Sequence, residues 1–121
     1  MKIAVTTAGT TPDDTLESRF GRAPRFLIVD TADGSFETVE NIRNLNAAQG
    51  AGIQAAMAVV SSGAEAVITG HCGPKAFRVL SEAGIKVCTI EAVSIREAVK
   101  LYQEDKLDPS ESADVEGHWV S

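Results

Sequence analysis

Short apolar runs and helical repeats alternate along the chain and predict eight secondary-structure elements. The runs at 2–7, 25–30 and 36–40 favour strands β1, β2 and β3, because they are rich in β-branched and aromatic residues and end in turn residues. Asp33 and Gly34 lie between the second and third runs. Since this dipeptide is a strong hairpin signal, we expect β2 and β3 to be antiparallel neighbours.

The second half of the chain alternates between strand-like and helix-like segments. Residues 47–64 predict helix α1, with Ile53, Met57 and Val60 at helical spacing on its core-facing side. The remaining elements are β4 at 66–70, α2 at 74–84, β5 at 85–90 and α3 at 95–106, capped by Ser94. Such alternation implies right-handed parallel crossovers. We therefore predict an α/β three-layer sandwich with a mixed five-stranded sheet, in the order β1-β2-β3-α1-β4-α2-β5-α3.

Length and composition place these elements in one domain. A chain of 121 residues, 44% hydrophobic and 23% charged, fits a single globular core. We expect this domain to span 1–108 and an acidic, flexible tail to span 109–121, because the last residues show no periodicity. No apolar run reaches the roughly 20 residues of a membrane helix, and the first residues lack the apolar stretch of a signal peptide. We therefore predict a cytoplasmic protein with no membrane partner.

The net charge of -6 is unevenly distributed. Residues 91–121 hold eight acidic and three basic residues, whereas the first 90 residues hold nine acidic and eight basic residues. An acidic total without a basic stripe argues against nucleic acid as a partner. Composition leaves the oligomeric state open, with a monomer favoured.

The segment TGHCGPKAF, residues 69–77, lies where β4 gives way to α2. Ligands of open α/β sheets bind outside the carboxyl ends of parallel strands. With Pro74 in the first helical turn, the backbone N–H groups from Gly73 to Ala76 would point into that crevice and favour an anion. Lys75 adds a positive charge to the same place. The alternative is a simple strand-to-helix turn without a ligand.

Two side chains of this segment could bind a metal. His71 offers a borderline nitrogen and Cys72 a soft sulfur, which suit copper, zinc or iron–sulfur chemistry. The spaced ligand pairs of a zinc motif are absent from the sequence, and a cysteine at such a turn is often a small buried filler. Cys88 lies in the middle of β5, where we expect a core residue. Both cysteines are expected to be free thiols or ligands in a reducing compartment.

A second segment, SRFGRAPRF, carries Arg19, Arg22 and Arg25 around a glycine and a proline. Three positive charges so close together repel one another unless they are solvated or face an anion. One interpretation is a cationic wall opposite the N–H groups of the first segment, which would suit a compact polyanion. The other is a solvated loop in which Arg25 pairs with Asp30 or Glu17.

Four segments, taken in order, resemble the nitrogenase iron-molybdenum cofactor accessory family: KIAVTT, SRFGRAPRFLIVD, NAAQGAGIQAA and VITGHCGPKAFRVLSEAGIKV. The resemblance covers roughly residues 1–107 and implies a ribonuclease-H-like fold. It also implies a non-enzymatic protein that binds, stores or delivers a molybdenum- or iron-containing metal-sulfide cluster. One branch, the orange proteins of anaerobic bacteria, holds a molybdenum-copper sulfide cluster without covalent attachment. The chain's length resembles that branch, so the cluster expected is a molybdenum-copper or iron-molybdenum sulfide, with a donor or acceptor protein as partner.

Carried over position by position, the resemblance implies three cluster-binding segments. Their residues are Arg19, Phe20, Gly21, Arg22, Ala23 and Pro24, then Gly50 and Gly52, then Gly70, His71, Cys72, Gly73, Pro74 and Lys75. His71 is the most attractive metal contact, with Cys72 as the other candidate. Phe20 and Pro24 are expected to form an apolar wall.

Two other classes of function are compatible with the sequence. A small enzyme could use magnesium on the ribonuclease-H-like sheet, but only Asp30 ends a core strand where such a carboxylate is needed. A thiol enzyme could use Cys72 with His71, but adjacent residues of an extended strand point to opposite faces. A protein-interaction module could dock a basic partner on the acidic last helix and tail. We expect a binding protein and not an enzyme.

Overall fold

A computed structural model of the protein describes residues 1–41, 51–91, 93–107 and 109. The elements are β1 (Lys2–Thr7), β2 (Arg25–Asp30), β3 (Phe36–Glu40), α1 (Ala51–Ser62), β4 (Ala66–Thr69), α2 (Pro74–Glu82), β5 (Lys86–Thr89) and α3 (Ile95–Gln103). Their order along the chain is the predicted one. A short 3-10 helix at Phe20–Arg22, which the sequence pattern did not predict, precedes β2.

The five strands form one mixed sheet in the order β3-β2-β1-β4-β5. β1 runs antiparallel to β2 and parallel to β4, while β2 and β3 form the predicted antiparallel hairpin. β4 and β5 are parallel. The carboxyl ends of β1, β4 and β5 therefore lie at one edge of the sheet, where the loops after Thr7 and Thr69 begin.

Helices cover both faces of the sheet. Ala4 and Val67 belong to a buried cluster that includes residues of α1 and α2. Ile3, Val5 and Ile68 point the other way, into a cluster with residues of α3. Burial on both faces explains why the central strands are continuous apolar runs. The predicted three-layer α/β sandwich on a mixed sheet is confirmed.

The predicted core-facing side of α1 is wrong. Met57 and Val60 are 53% and 40% exposed. Ala55, Ala56 and Val59 are buried instead. Alanine has no side-chain entropy to lose and lets a helix lie close to its neighbours, so the two alanines face the core with Val59, while Met57 and Val60 face outward.

The last helix begins and is capped as the pattern predicts, but it ends at Gln103 and not at residue 106. The Ser94 side chain caps α3 by accepting a hydrogen bond from the Glu97 backbone N–H at 3.1 Å. The helix buries its own residues Ile95, Ala98 and Val99 against the sheet. No helix in the described part of the chain is long and apolar enough to cross a membrane.

Some predictions concern residues outside the described ranges. These are the role of Gly50, the start of α1 before residue 51, and the acidic tail beyond residue 109. The domain boundary at residue 108 stays a prediction.

Candidate functional site

The two segments singled out from the sequence are joined by backbone hydrogen bonds. The His71 N–H donates to the Ser18 carbonyl at 2.6 Å, and the Phe20 N–H donates to the His71 carbonyl at 3.1 Å. Arg19 and His71 are thus paired as neighbours in a parallel bridge. Residues 19–24 are called here the arginine loop. The start of this loop therefore lies beside the residues that follow β4.

Gly70 makes this close approach possible. A Cβ atom on Gly70 would lie 2.6 Å from the Ser18 carbonyl oxygen and 2.7 Å from the Ser18 Cα. Such distances are far below van der Waals contact, so any side chain at this position would push the two segments apart. Gly70 was predicted as a cluster contact, and the structure gives it a role in bringing the segments together.

Two buried threonines, Thr6 and Thr69, form hydrogen bonds on the core side of the two segments. The Thr6 hydroxyl donates to the Glu17 carbonyl at 2.6 Å, one residue before Ser18, and lies 2.9 Å from the Thr69 hydroxyl. Both threonines are fully buried. Sequence reasoning missed them, although a polar residue at the end of two apolar strands is a signal that could have found them.

Phe20 does not form the apolar wall expected of it. Its side chain is only 2% exposed, and its ring centroid lies 5.5 Å from that of Phe26. Ala23 is also buried, whereas Gly21 and Pro24 are partly exposed. The reason is that burial of an aromatic ring in the core stabilises the fold more than exposure at a rim would. Phe20 therefore anchors the arginine loop in the core.

Arg19, Arg22 and Lys75 are exposed at the surface. Arg25 is not part of this exposed group. Its Nε lies 2.9 Å from Glu40 Oε2, and its guanidinium also donates to the carbonyls of Ala8 and Gly9. The predicted pairing of Arg25 with Asp30 or Glu17 is wrong, because the β2–β3 register places Glu40 directly opposite Arg25.

The first turn of α2 presents free backbone donors at the same place. Gly73 is the N-cap with extended backbone angles, Pro74 follows in the first turn, and no side chain caps the helix. The N–H groups of Lys75 and Ala76 have no acceptor among the described residues. Together with the exposed Lys75 side chain, they favour a negatively charged ligand.

The start of α3 shows the opposite arrangement. Its first N–H groups, on Ile95 and Arg96, donate to the carbonyls of Asp14 at 2.9 Å and Pro12 at 2.8 Å. The loop after β1 thus closes the start of this helix. That loop is held in turn by the carboxylate of Asp14, which accepts hydrogen bonds from the N–H groups of Thr10 and Thr11.

Gly52 lies where the first turns of α1 and α2 meet. A Cβ atom on Gly52 would be 3.4 Å from the Ala76 Cβ, which is ordinary contact. The residue was predicted as a cluster contact, and its observed neighbour is the other helix. Its contact with a cluster stays a prediction.

His71 and Cys72 have different surroundings. His71 is exposed, whereas Cys72 is 1% exposed and belongs to the core cluster under α1 and α2. The Cys72 sulfur lies 3.8 Å from the Gly73 carbonyl. Since a buried thiol offers no access to an external metal or substrate, His71 is the better candidate for a direct bond, and thiol catalysis by Cys72 gains no support. Cys88 is core, as predicted.

Metal-binding groups of three or more His, Cys, Asp or Glu side chains are absent among the described residues. Asp30, the carboxylate considered for a magnesium enzyme, lies opposite Lys2 at the start of β1 and pairs with the N-terminal amine at 3.6 Å. It is therefore at the wrong edge of the sheet for that role, because β2 is antiparallel to β1.

A cleft of about 200 Å³ lies elsewhere, between α3 and the β2–β3 hairpin. Val29, Ile95 and Val99 contribute its apolar lining, and Lys100 lies at its side. None of the predicted cluster-binding residues lines it. The candidate site is instead the surface where the arginine loop, His71 and the first turn of α2 come together.

Both segments of this site lie within the part of the chain that is similar to known proteins. The family model described as dinitrogenase iron-molybdenum cofactor matches residues 1–105. The apo form of the orange protein (ORP) from Desulfovibrio gigas is 38% identical, with a TM-score of 0.91 over 93% of this chain and 95% of that chain. The NMR structure of TM1290 from Thermotoga is 33% identical, with a TM-score of 0.77 over 89% of this chain and 91% of that chain. Uncharacterized protein MJ0580 from Methanocaldococcus jannaschii is 36% identical over 98 residues, which are 79% of this chain and 83% of that protein.

Proposed function

Because the chain belongs to the dinitrogenase iron-molybdenum cofactor family, whose model matches residues 1–105, we propose that it binds a metal-sulfide cluster containing molybdenum or iron. The protein stores or delivers the cluster and does not act as an enzyme. One observation carries the proposal: the hydrogen bonds that join Ser18 and Phe20 to His71 bring exposed cations next to the open first turn of α2.

The chemistry of the site fits such a cargo. A metal-sulfide cluster is a polyanion with a soft, poorly hydrated surface, so it is held well by N–H donors and cations. Arg19, Arg22 and Lys75 supply the charge, and the backbone of Lys75 and Ala76 supplies donors. His71 can add one direct bond to a metal atom of the cluster. A bare metal ion fits less well, since no group of three ligands is found among the described residues.

The finer identity we propose for the cargo is a molybdenum-copper sulfide. The support is the similarity to the orange protein, which extends over nearly the whole of both chains. A compact anion of this kind needs few covalent ligands, in agreement with a site that offers His71 and several cations. The proposed partner is a cytoplasmic protein that gives the cluster to this chain or takes it away.

Charge-removing variants test the site. The double variant Arg19→Ala and Arg22→Ala should bind tetrathiomolybdate with copper about tenfold more weakly, because each exposed charge contributes up to about 1 kcal/mol. The same variant should show a smaller loss of affinity as salt is added, since fewer charges remain to be screened. Anaerobic titration followed by absorbance measures both effects.

The matched control is the double variant Arg96→Ala and Lys100→Ala on α3. It also removes two positive charges, but from a helix that packs on the other face of the sheet from α1 and α2. Its affinity and salt dependence should equal those of the unmodified protein. Equal losses in the two double variants would mean that net charge, and not this site, governs binding, and an unchanged arginine-loop variant would place the site elsewhere.

A further inference from the structure

Asn41 is a buried polar residue immediately after β3, with no solvent-exposed surface. Its side-chain Nδ2 donates to the Ala23 carbonyl at 2.8 Å, and its backbone N–H donates to the Pro24 carbonyl at 2.8 Å. Both acceptors belong to the arginine loop. Asn41 is thus bonded to the arginine loop from the core side.

The chemistry of this contact requires a donor. A peptide carbonyl only accepts hydrogen bonds, so the side-chain atom that faces Ala23 must carry hydrogen, as the amide nitrogen does. A carboxylate at position 41 would bury a charge against the carbonyl lone pairs. A leucine of similar size would leave the Ala23 carbonyl without this donor.

The arginine loop is attached separately at its other end. The backbone of Phe20 is bonded to His71, and the Phe20 ring packs against Phe26 in the core. Asn41 holds the opposite end, at Ala23 and Pro24. Between the two attachments lie Gly21 and Arg22, which reach the surface. Loss of the Asn41 side-chain contact would therefore loosen the Ala23 end of the loop, next to Arg22, and leave the Phe20 end in place, while the backbone bond to Pro24 is kept.

We propose that Asn41 is a positioning residue for cluster capture, which rests on the proposed function of the site. By fixing the carbonyls of Ala23 and Pro24, it holds Arg22 in place relative to Arg19 before the cluster arrives. A loop that is already ordered does not lose further conformational entropy on binding, so the affinity is higher.

The binding test uses Asn41→Leu with tetrathiomolybdate and copper as the probe. We expect binding to weaken by about three- to fivefold, less than in the double arginine variant, because only the contribution of Arg22 is lost. The salt dependence of the affinity should also become shallower, because Arg22 no longer contributes. The control is Val99→Ala, which removes core volume under α3 on the other face of the sheet and should change neither quantity.

A second measurement needs no cluster. In the metal-free protein, the NMR order parameters of the Gly21 and Arg22 backbone N–H groups should fall from about 0.85 to below about 0.6 in Asn41→Leu, and not in Val99→Ala. Asn41→Ala, which removes the donor without adding apolar bulk, provides both readouts if Asn41→Leu does not fold.

The outcomes separate the two proposals. A folded Asn41 variant with the order parameters and affinity of the unmodified protein overturns the positioning role. If the unmodified protein binds no probe but the Arg22 order parameter still drops in the variant, the proposed function fails and the hold of Asn41 on the loop is supported.

Discussion

Gly70 is the residue on which the contact between the two segments depends most directly. Gly70→Ala would place a Cβ atom 2.6 Å from the Ser18 carbonyl, so the segments must separate and the hydrogen bonds of His71 are strained or lost. We expect the free energy of unfolding to fall by about 1–3 kcal/mol, as for other overpacked sites. Chemical denaturation measures the change.

Gly73→Ala is the matched control for that variant. A Cβ atom on Gly73 meets nothing within 4 Å, and its φ of -71° is ordinary for any residue. The loss should be about 1 kcal/mol or less, the size of an N-cap change. Equal losses for the two glycines would contradict the close approach at Gly70.

Asp14 makes the free energy of unfolding depend on pH in the acid range. Hydrogen bonds from the backbone N–H groups of Thr10 and then Thr11 hold the pKa of its carboxyl below the usual 3.8. A pKa lowered by folding contributes stability above the unfolded-state pKa, and that stability is lost as pH falls through the folded-state value. Asp14→Asn should therefore be less stable than the unmodified protein at neutral pH, with a difference that narrows below about pH 4.

Denaturant unfolding at several pH values checks this difference. Asp13→Asn is the control, because Asp13 forms only a surface pair with Arg96 and such pairs contribute little. Its difference from the unmodified protein should stay small at every pH. A constant gap for Asp14→Asn between pH 7 and pH 3 would contradict the role given to its carboxylate.

Single positions show where sequence reasoning stops. Arg25 sits beside two other arginines in the sequence, which suggested either a shared anion or a local acid as its partner. Its observed partner is Glu40, and the pairing follows from strand register. Likewise, a pattern of loop residues cannot tell that Phe20 turns inward to meet Phe26. Both outcomes depend on contacts between separate elements, which local periodicity does not encode.

Helix α1 illustrates the same limit for an element. Its existence follows from periodicity, but its orientation does not, because alanine-rich turns offer two apolar sides of different bulk. The structure buries the side with Ala56 and exposes Met57. The larger side chains misled the prediction, since small residues are favoured where a helix packs closely.

Paired substitutions on α1 test this orientation. Ala56→Leu should cost about 1–3 kcal/mol, because it adds volume to a filled core. Met57→Gln should change stability by no more than about 0.5 kcal/mol, because the residue is 53% exposed. Thermal or denaturant unfolding distinguishes the two. A large loss for Met57→Gln with none for Ala56→Leu would restore the orientation predicted from the sequence.

For the molecule as a whole, sequence patterning was sufficient for the order of elements and the fold class. Three local patterns agree on one fold: the continuous apolar strands, the Asp33-Gly34 turn, and the alternation of strands and helices after residue 64. The candidate site was predictable only in outline. Its two segments are about 50 residues apart in sequence, and the hydrogen bonds of His71 and Asn41 that join and support them appear only in the folded chain.

The central claim is that this folded surface captures a thiometallate anion. The most direct measurement is an anaerobic absorbance titration of the metal-free protein with tetrathiomolybdate and copper, followed by removal of unbound reagent. We predict a coloured complex of fixed stoichiometry, with charge-transfer bands distinct from those of free tetrathiomolybdate. Recovery of colourless protein, with only the spectrum of free tetrathiomolybdate in solution, would contradict the claim.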